Sequence, residues 1–150
     1  MEKNIIFLDI DGPIAPMSYH NTHEEIPYIK SIQPEKIELL KKILEKHPSF
    51  KIVISSDWRD SLTKEQLTEV FSHYQLPIFD VVKPHVSKEE AIEHYLKENT
   101  VDCFVIIDDD KIFDIDHDYS WNQIKPSLYH GLLPMHLEMF DEIVSEHLPF

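Results

Sequence analysis

At 150 residues the chain has room for one ordinary domain with a single substantial core. Its 42% hydrophobic content excludes a disordered chain of low apolar content. Its net charge of −14 excludes a surface that coats nucleic acid non-specifically, which needs clustered Lys and Arg.

The chain passes from Met1-Glu2-Lys3-Asn4 straight into an apolar run, without the three-part pattern of a signal peptide. No apolar run approaches the roughly 20 residues of a membrane span, so a cytoplasmic protein is expected. That first run, Ile5-Ile6-Phe7-Leu8, stops abruptly at Asp9. Ile52-Val53-Ile54 stops likewise at Ser55, and Phe104-Val105-Ile106-Ile107 at Asp108. Continuous β-branched and aromatic runs of this length predict strands buried on both faces, as in a parallel sheet. Ile78 to Val82 reads as a weaker fourth strand.

Helical patterns lie between the runs. Pro34 suits a first turn, and Ile37, Leu40, Ile43 and Leu44 then recur on one face. Thr63-Lys64-Glu65-Gln66 reads as a capping box ahead of Leu67, Val70, Phe71 and Tyr74, and Ser87-Lys88-Glu89-Glu90 as another ahead of Ile92, Tyr95 and Leu96. Pro134 opens a last amphipathic helix through Met139, Phe140, Ile143 and Val144. Alternation of this kind predicts an α/β fold, a single Rossmann-like three-layer domain over residues 1–150 with a mostly parallel sheet. Sites in such sheets form beyond the carboxyl ends of the strands, where Asp9, Ser55 and Asp108 converge. Two long segments fall outside the pattern: residues 12–33, with Pro13, Pro16, Pro27, His20 and His23, and the acid-rich loop 109–126.

Asp9-Ile10-Asp11-Gly12 admits several readings. An Asp-rich turn is one. A calcium loop fails on spacing, since the turn glycine would be Ile14 and the bidentate glutamate His20. The acidic loop fails too, with Phe113 or Tyr119 at the glycine position. A receiver domain carries similar groups, but its acidic pair precedes the phosphoacceptor, and the order here is Asp-x-Asp, Ser, Lys, Asp-Asp. The only cysteine, Cys103, opens an apolar run with no basic group to activate it and is assigned to the core. With just two glycines, Gly12 and Gly131, the chain has no GxGxxG or GxxxxGKS/T cradle, so phosphate chemistry would rest on carboxylates, metal and single cations.

The order resembles the four motifs of the haloacid dehalogenase (HAD) superfamily: Asp9-Ile10-Asp11-Gly12, then Ser55, then Lys88, then Asp108-Asp109. Each motif alone is weak; all four in order, each at a predicted element end, are strong. Ser55-Ser56-Asp57-Trp58-Arg59, the helix from Lys88-Glu89-Glu90 and Gly131-Leu132 resemble the HAD domain of Swiss-army-knife RNA repair proteins. Pro13 departs from the small β-branched residue usual there, and Lys83-Pro84 competes with Lys88 for the third motif; the predicted helix start favours Lys88.

The resemblance implies an Mg²⁺-dependent phosphomonoester hydrolase. Asp9 would be the nucleophile that forms an aspartyl-phosphate, and Asp11 the general acid and base. Ser55 and Lys88 would neutralise and position the transferred group. Asp9, Asp11 through its carbonyl, Asp108 and Asp109 would hold the metal, and Gly12, Ser56 and Arg59 would contact substrate. Arg59 is equally well read as a surface cation, Trp58 as core, His20 and His23 as ordinary loop residues, and Asp114, Asp116 and Asp118 as a solvated acidic face. The intervals between motifs leave no room for a large cap, which suits a bulky substrate such as an RNA or DNA terminus or a phosphoprotein; the expected substrate is a nucleic-acid terminal phosphate or a nucleotide. A small-molecule phosphatase and a catalytically inactive binding module are the alternatives.

Overall fold

A computed structural model describes residues 3–19, 31–60, 62–84 and 86–147, apart from the side chains of Arg59, Asp60 and His147. His20, His23 and Pro27 lie outside the described residues. Five parallel strands form one sheet in the order β3-β2-β1-β4-β5: β1 Asn4–Leu8, β2 Phe50–Ile54, β3 Asp80–Val81, β4 Cys103–Ile107 and β5 Gln123–Ile124. Among the described residues four α-helices accompany them: α1 Pro34–Lys46, α2 Lys64–Ser72, α3 Lys88–Glu98 and α4 Met135–His147. The result is a three-layer α/β arrangement.

The strand alternation decides which helices go where. Ile6, Leu8, Ile52, Ile54, Val105 and Ile107 face one side and are buried with α1, α2 and α4 through Ile37, Leu40, Leu67, Phe71 and Phe140. Ile5, Phe7, Val53, Phe104 and Ile106 face the other, against Ala91, Ile92 and Tyr95 of α3 and against Phe113. Phe7 meets Tyr95 and Phe104 edge-on, with ring centroids 5.6 and 5.9 Å apart. Every residue of β1 and β4 is buried, as unbroken apolar runs require.

The helix starts follow from local chemistry. Pro34 occupies the first turn of α1, where its missing N–H is no loss. The Thr63 hydroxyl accepts from Gln66 N–H while the Gln66 side chain accepts from Thr63 N–H, a reciprocal box. At α3 only half of the expected box forms: Ser87 accepts from Glu90 N–H at 3.2 Å. Ser87 therefore fixes the first turn of α3, and Lys88 with it.

Two expectations need correcting. The strand expected over Ile78 to Val82 shortens to Asp80–Val81, extended by bonds from Phe79 N–H to Ile52 and Val82 N–H to Ile54 carbonyls. Residues 109–126 are not all loop. They contain a 3₁₀ helix, Asp118–Asn122, and the edge strand β5. Asp114, Asp116 and Asp118 are exposed as expected, Cys103 and Trp58 are buried, and no described helix is long and apolar enough to cross a membrane.

Candidate active site

The register of the sheet aligns the site. Leu8 pairs with Ile54 on one side and Ile107 on the other, so the next residues, Ser55, Asp9 and Asp108, stand side by side beyond the carboxyl edge. Backbone bonds carry the ladder one step further. Asp9 N–H donates to the Ile107 carbonyl (2.9 Å), Ser55 N–H to Leu8 (3.0 Å) and Asp108 N–H to Ile124 (3.2 Å). The functional side chains thus project from the ends of buried, hydrogen-bonded central strands.

Lys88 comes in from the first turn of α3. Its ammonium lies 3.0 Å from Asp108 Oδ2 and 3.3 Å from Asp9 Oδ1. Asp9 is 4% exposed and Asp108 fully buried, so this is a desolvated ion triad rather than a surface pair. Asp9, Asp108 and Asp109 each bring a carboxylate oxygen within 4.8 Å of the others. Burial, and then the charge of Asp108, pushes the Asp9 pKa up to about 8. Burial also raises that of Asp108, against the pull of Lys88. For Lys88, burial opposes the charge, but Asp9 and Asp108 outweigh it and hold its pKa above the usual lysine value. Three clustered carboxylates against one ammonium leave the site short of positive charge. The donors are all hard oxygens at or just beyond strand ends, and they fit a small divalent cation such as Mg²⁺.

The turn after Asp9 accounts for the rest of the first motif. Gly12 N–H donates to the Ala15 carbonyl, and Ile14 and Ala15 N–H both donate to Ile10, so the turn makes no use of a donor at position 13 and accommodates Pro13. Asp11 is exposed. Gly12 adopts φ +102°, and a Cβ there would sit 2.8 Å from Asp109 Cγ. Gly131, at φ +69°, packs against the Gly12 and Pro13 carbonyls, and Leu132 N–H donates to Pro13 at 2.8 Å. This contact explains why Gly131-Leu132 belongs with the motifs although it lies far along the chain.

Ser56 is fully buried, its hydroxyl accepting from Trp58 N–H at the start of the turn Asp57–Asp60. Arg59 belongs to that turn, but its side chain lies outside the described residues. Lys83 is not brought to the cluster: it is exposed and 3.5 Å from Glu98. Sequence reasoning missed Gln123. Its amide donates to the Asp108 (3.0 Å) and Asp110 carbonyls (2.6 Å), and its oxygen accepts from Ile112 N–H (3.0 Å). Together with the Asp110 N–H bond to Asp108 Oδ1 (2.9 Å), Gln123 fixes the acidic turn. A lone glutamine in a two-residue strand leaves no apolar signature by which to find it.

A parallel sheet that gathers carboxylates and a lysine at its carboxyl edge defines an α/β protein with a metal-compatible acidic site. The family described as the HAD domain in Swiss Army Knife RNA repair proteins matches residues 5–137, and the chain belongs to that family. No curated protein and no solved structure gives a significant match.

Proposed function

We propose that the protein is an Mg²⁺-dependent phosphomonoester hydrolase acting through an aspartyl-phosphate on Asp9, with a nucleic-acid terminal phosphate or a nucleotide as substrate. The observation that carries this reading is the buried Asp9–Lys88–Asp108 triad, with Asp109 in the same cluster, at the end of the central strand. Membership of a family of RNA repair domains supports the substrate class.

The Asp9 carboxylate attacks phosphorus, the phosphorus–oxygen bond to the leaving group breaks, and Asp11 gives that oxygen a proton. Asp11 then takes a proton from water, which attacks the aspartyl-phosphate and releases inorganic phosphate. Lys88, between Asp9 and Asp108, offsets charge on the phosphoryl oxygens, and Ser55 lies beside Asp9 to receive one of them. Asp9, Asp108, Asp109 and the Asp11 carbonyl would hold Mg²⁺, which supplies Lewis-acid neutralisation of cluster and phosphate when bound. Gly12 and Arg59 are assigned to substrate contact, Arg59 through its planar fork, whereas Ser56, fully buried with its hydroxyl on Trp58 N–H, holds the turn that carries Arg59 instead.

The test is kcat/KM for 3′- and 5′-phosphorylated oligonucleotides, mononucleotides, sugar phosphates and phosphopeptides, with Asp9→Asn as control. Asp9→Asn should fold and lose turnover; Asp11→Asn should lose it most on poor leaving groups. Turnover by a pure, folded Asp9→Asn protein refutes the nucleophile. If mononucleotides or sugar phosphates win by more than about tenfold, or 1.4 kcal/mol, the small-molecule reading replaces the nucleic-acid one.

A further inference from the structure

We infer that a groove beside the acidic turn, floored by Gln123 and flanked by Trp121, Lys111 and Lys125, holds the single-stranded segment next to the scissile terminal phosphate. The inference rests on the nucleic-acid reading above and adds to it where the strand runs. The groove has a volume of about 200 Å³ and is also lined by Phe113.

Three independent features converge there. Trp121 is 70% exposed, and an indole left so open is a stacking face rather than core. Lys125 makes no ion pair among the described residues, and Lys111 makes only a loose, exposed one with Asp114 at 3.7 Å. Two such cations in one groove stand out in a chain of net charge −14. A single strand offers both complements, a base for the indole and phosphates for the ammonium groups. A phosphopeptide offers charge without a regular aromatic partner.

The groove is also joined to the chemistry. Ile124 pairs with Ile107 in register, so Lys125 stands one residue past the sheet edge, beside Asp108. Gln123, on the same strand face as Lys125, bonds the Asp108 and Asp110 carbonyls. A strand lying on Trp121 would thus reach Asp9 across the turn that carries Asp108 and Asp109.

The experiment compares wild type, Trp121→Ala and Lys111→Ala/Lys125→Ala on p-nitrophenyl phosphate, on terminally phosphorylated mono- and trinucleotides, and on a phosphopeptide. Wild type should favour the trinucleotide over the mononucleotide by about tenfold, in line with the stacking contribution of one base. Each variant should lose about that factor on the trinucleotide and stay within twofold on p-nitrophenyl phosphate. In the Asp9→Asn background the trinucleotide should quench tryptophan emission. That signal reports Trp121, because Trp58 is 7% exposed. Unchanged trinucleotide kinetics in Trp121→Ala, or an equal loss on p-nitrophenyl phosphate, overturns the groove and leaves the terminal-phosphate reading standing. A wild type with no preference for the trinucleotide overturns the groove alone, and one that prefers the phosphopeptide overturns both.

Discussion

The close approach of Asp109 to Gly12 yields the most quantitative prediction, through Gly12→Ala. Alanine at φ +102° occupies backbone space that L side chains rarely adopt, at a cost on the order of 1–3 kcal/mol. Its Cβ would also stand 2.8 Å from Cγ and Oδ1 of Asp109, so that carboxylate must swing away. For a chain of this length a cost near 2 kcal/mol lowers Tm by roughly 4–8 °C. The displaced Asp109 should separately weaken metal binding. Thermal unfolding without metal reads the strain. Its rise with added Mg²⁺ reads the affinity, since stabilisation follows RT ln(1 + [L]/Kd). Asp109→Ala removes the obstructing atoms, so the double variant should be less destabilised than the sum of the singles, with the φ strain remaining. A Gly12→Ala protein that melts within about 1 °C of wild type with an unchanged Mg²⁺ response refutes this account of the turn.

Lys88→Ala should lower kcat by at least about a hundredfold, the scale seen when one charge-stabilising donor is removed. Lys83→Ala, whose partner is the exposed Glu98, should stay within about twofold, and the reverse ranking reassigns the third motif. Activity should require Mg²⁺ and be inhibited by Ca²⁺, whose longer bonds and higher coordination suit in-line attack poorly; full activity after exhaustive chelation removes the metal from the mechanism. Asp141 offers a check away from the site. Burial pushes its pKa up, but hydrogen bonds from Lys46 and His47 outweigh this and hold it below the usual value. A depressed carboxylate stabilises above its unfolded pKa and loses that contribution as pH falls through the folded one. Wild type should therefore be slightly more stable than Asp141→Asn at neutral pH, by less than about 1 kcal/mol for so solvent-accessible a pair, and the difference should be lost as pH falls below the ordinary carboxylate range. A difference that persists there refutes the ion-pair origin.

The parts of this molecule that the sequence makes legible are those whose chemistry is local. Unbroken apolar runs ending in Asp9, Ser55 and Asp108 announce the central strands, because a strand buried on both faces has no polar alternation. Capping residues announce α2 and α3, and through Ser87 the position of Lys88. Legibility stops where geometry depends on partners far along the chain. Strand β5 has two residues, too few for a pattern, and forms only because β4 offers it a ladder. Gln123 matters through backbone carbonyls that sequence cannot place. Gly131 shows its reason only once it is seen against Gly12 and Pro13. The helix start already favours Lys88 over Lys83, and the fold adds the reason: α3 turns Lys88 inward onto Asp9 and Asp108 and leaves Lys83 on Glu98.

The remaining question is how a strongly acidic protein engages a polyanion, and salt dependence answers it. Counterion release makes log Kobs fall with log salt at about −0.7 per phosphate contact on a single strand. The groove supplies two flanking ammonium groups, Lys111 and Lys125, so the slope for a trinucleotide bound to Asp9→Asn should be about −1.4 plus any share from the terminal phosphate. Proteins that grip many phosphates give far steeper slopes. Titrating the Trp121 signal between about 50 and 200 mM salt should therefore cost about sevenfold in affinity through the groove, with the share of the terminal phosphate in addition. Lys111→Ala/Lys125→Ala should bring the slope close to that of the terminal phosphate alone. A slope near −4, unchanged in the double variant, would mean that the strand is held by another face, and the path past Trp121 would have to be redrawn.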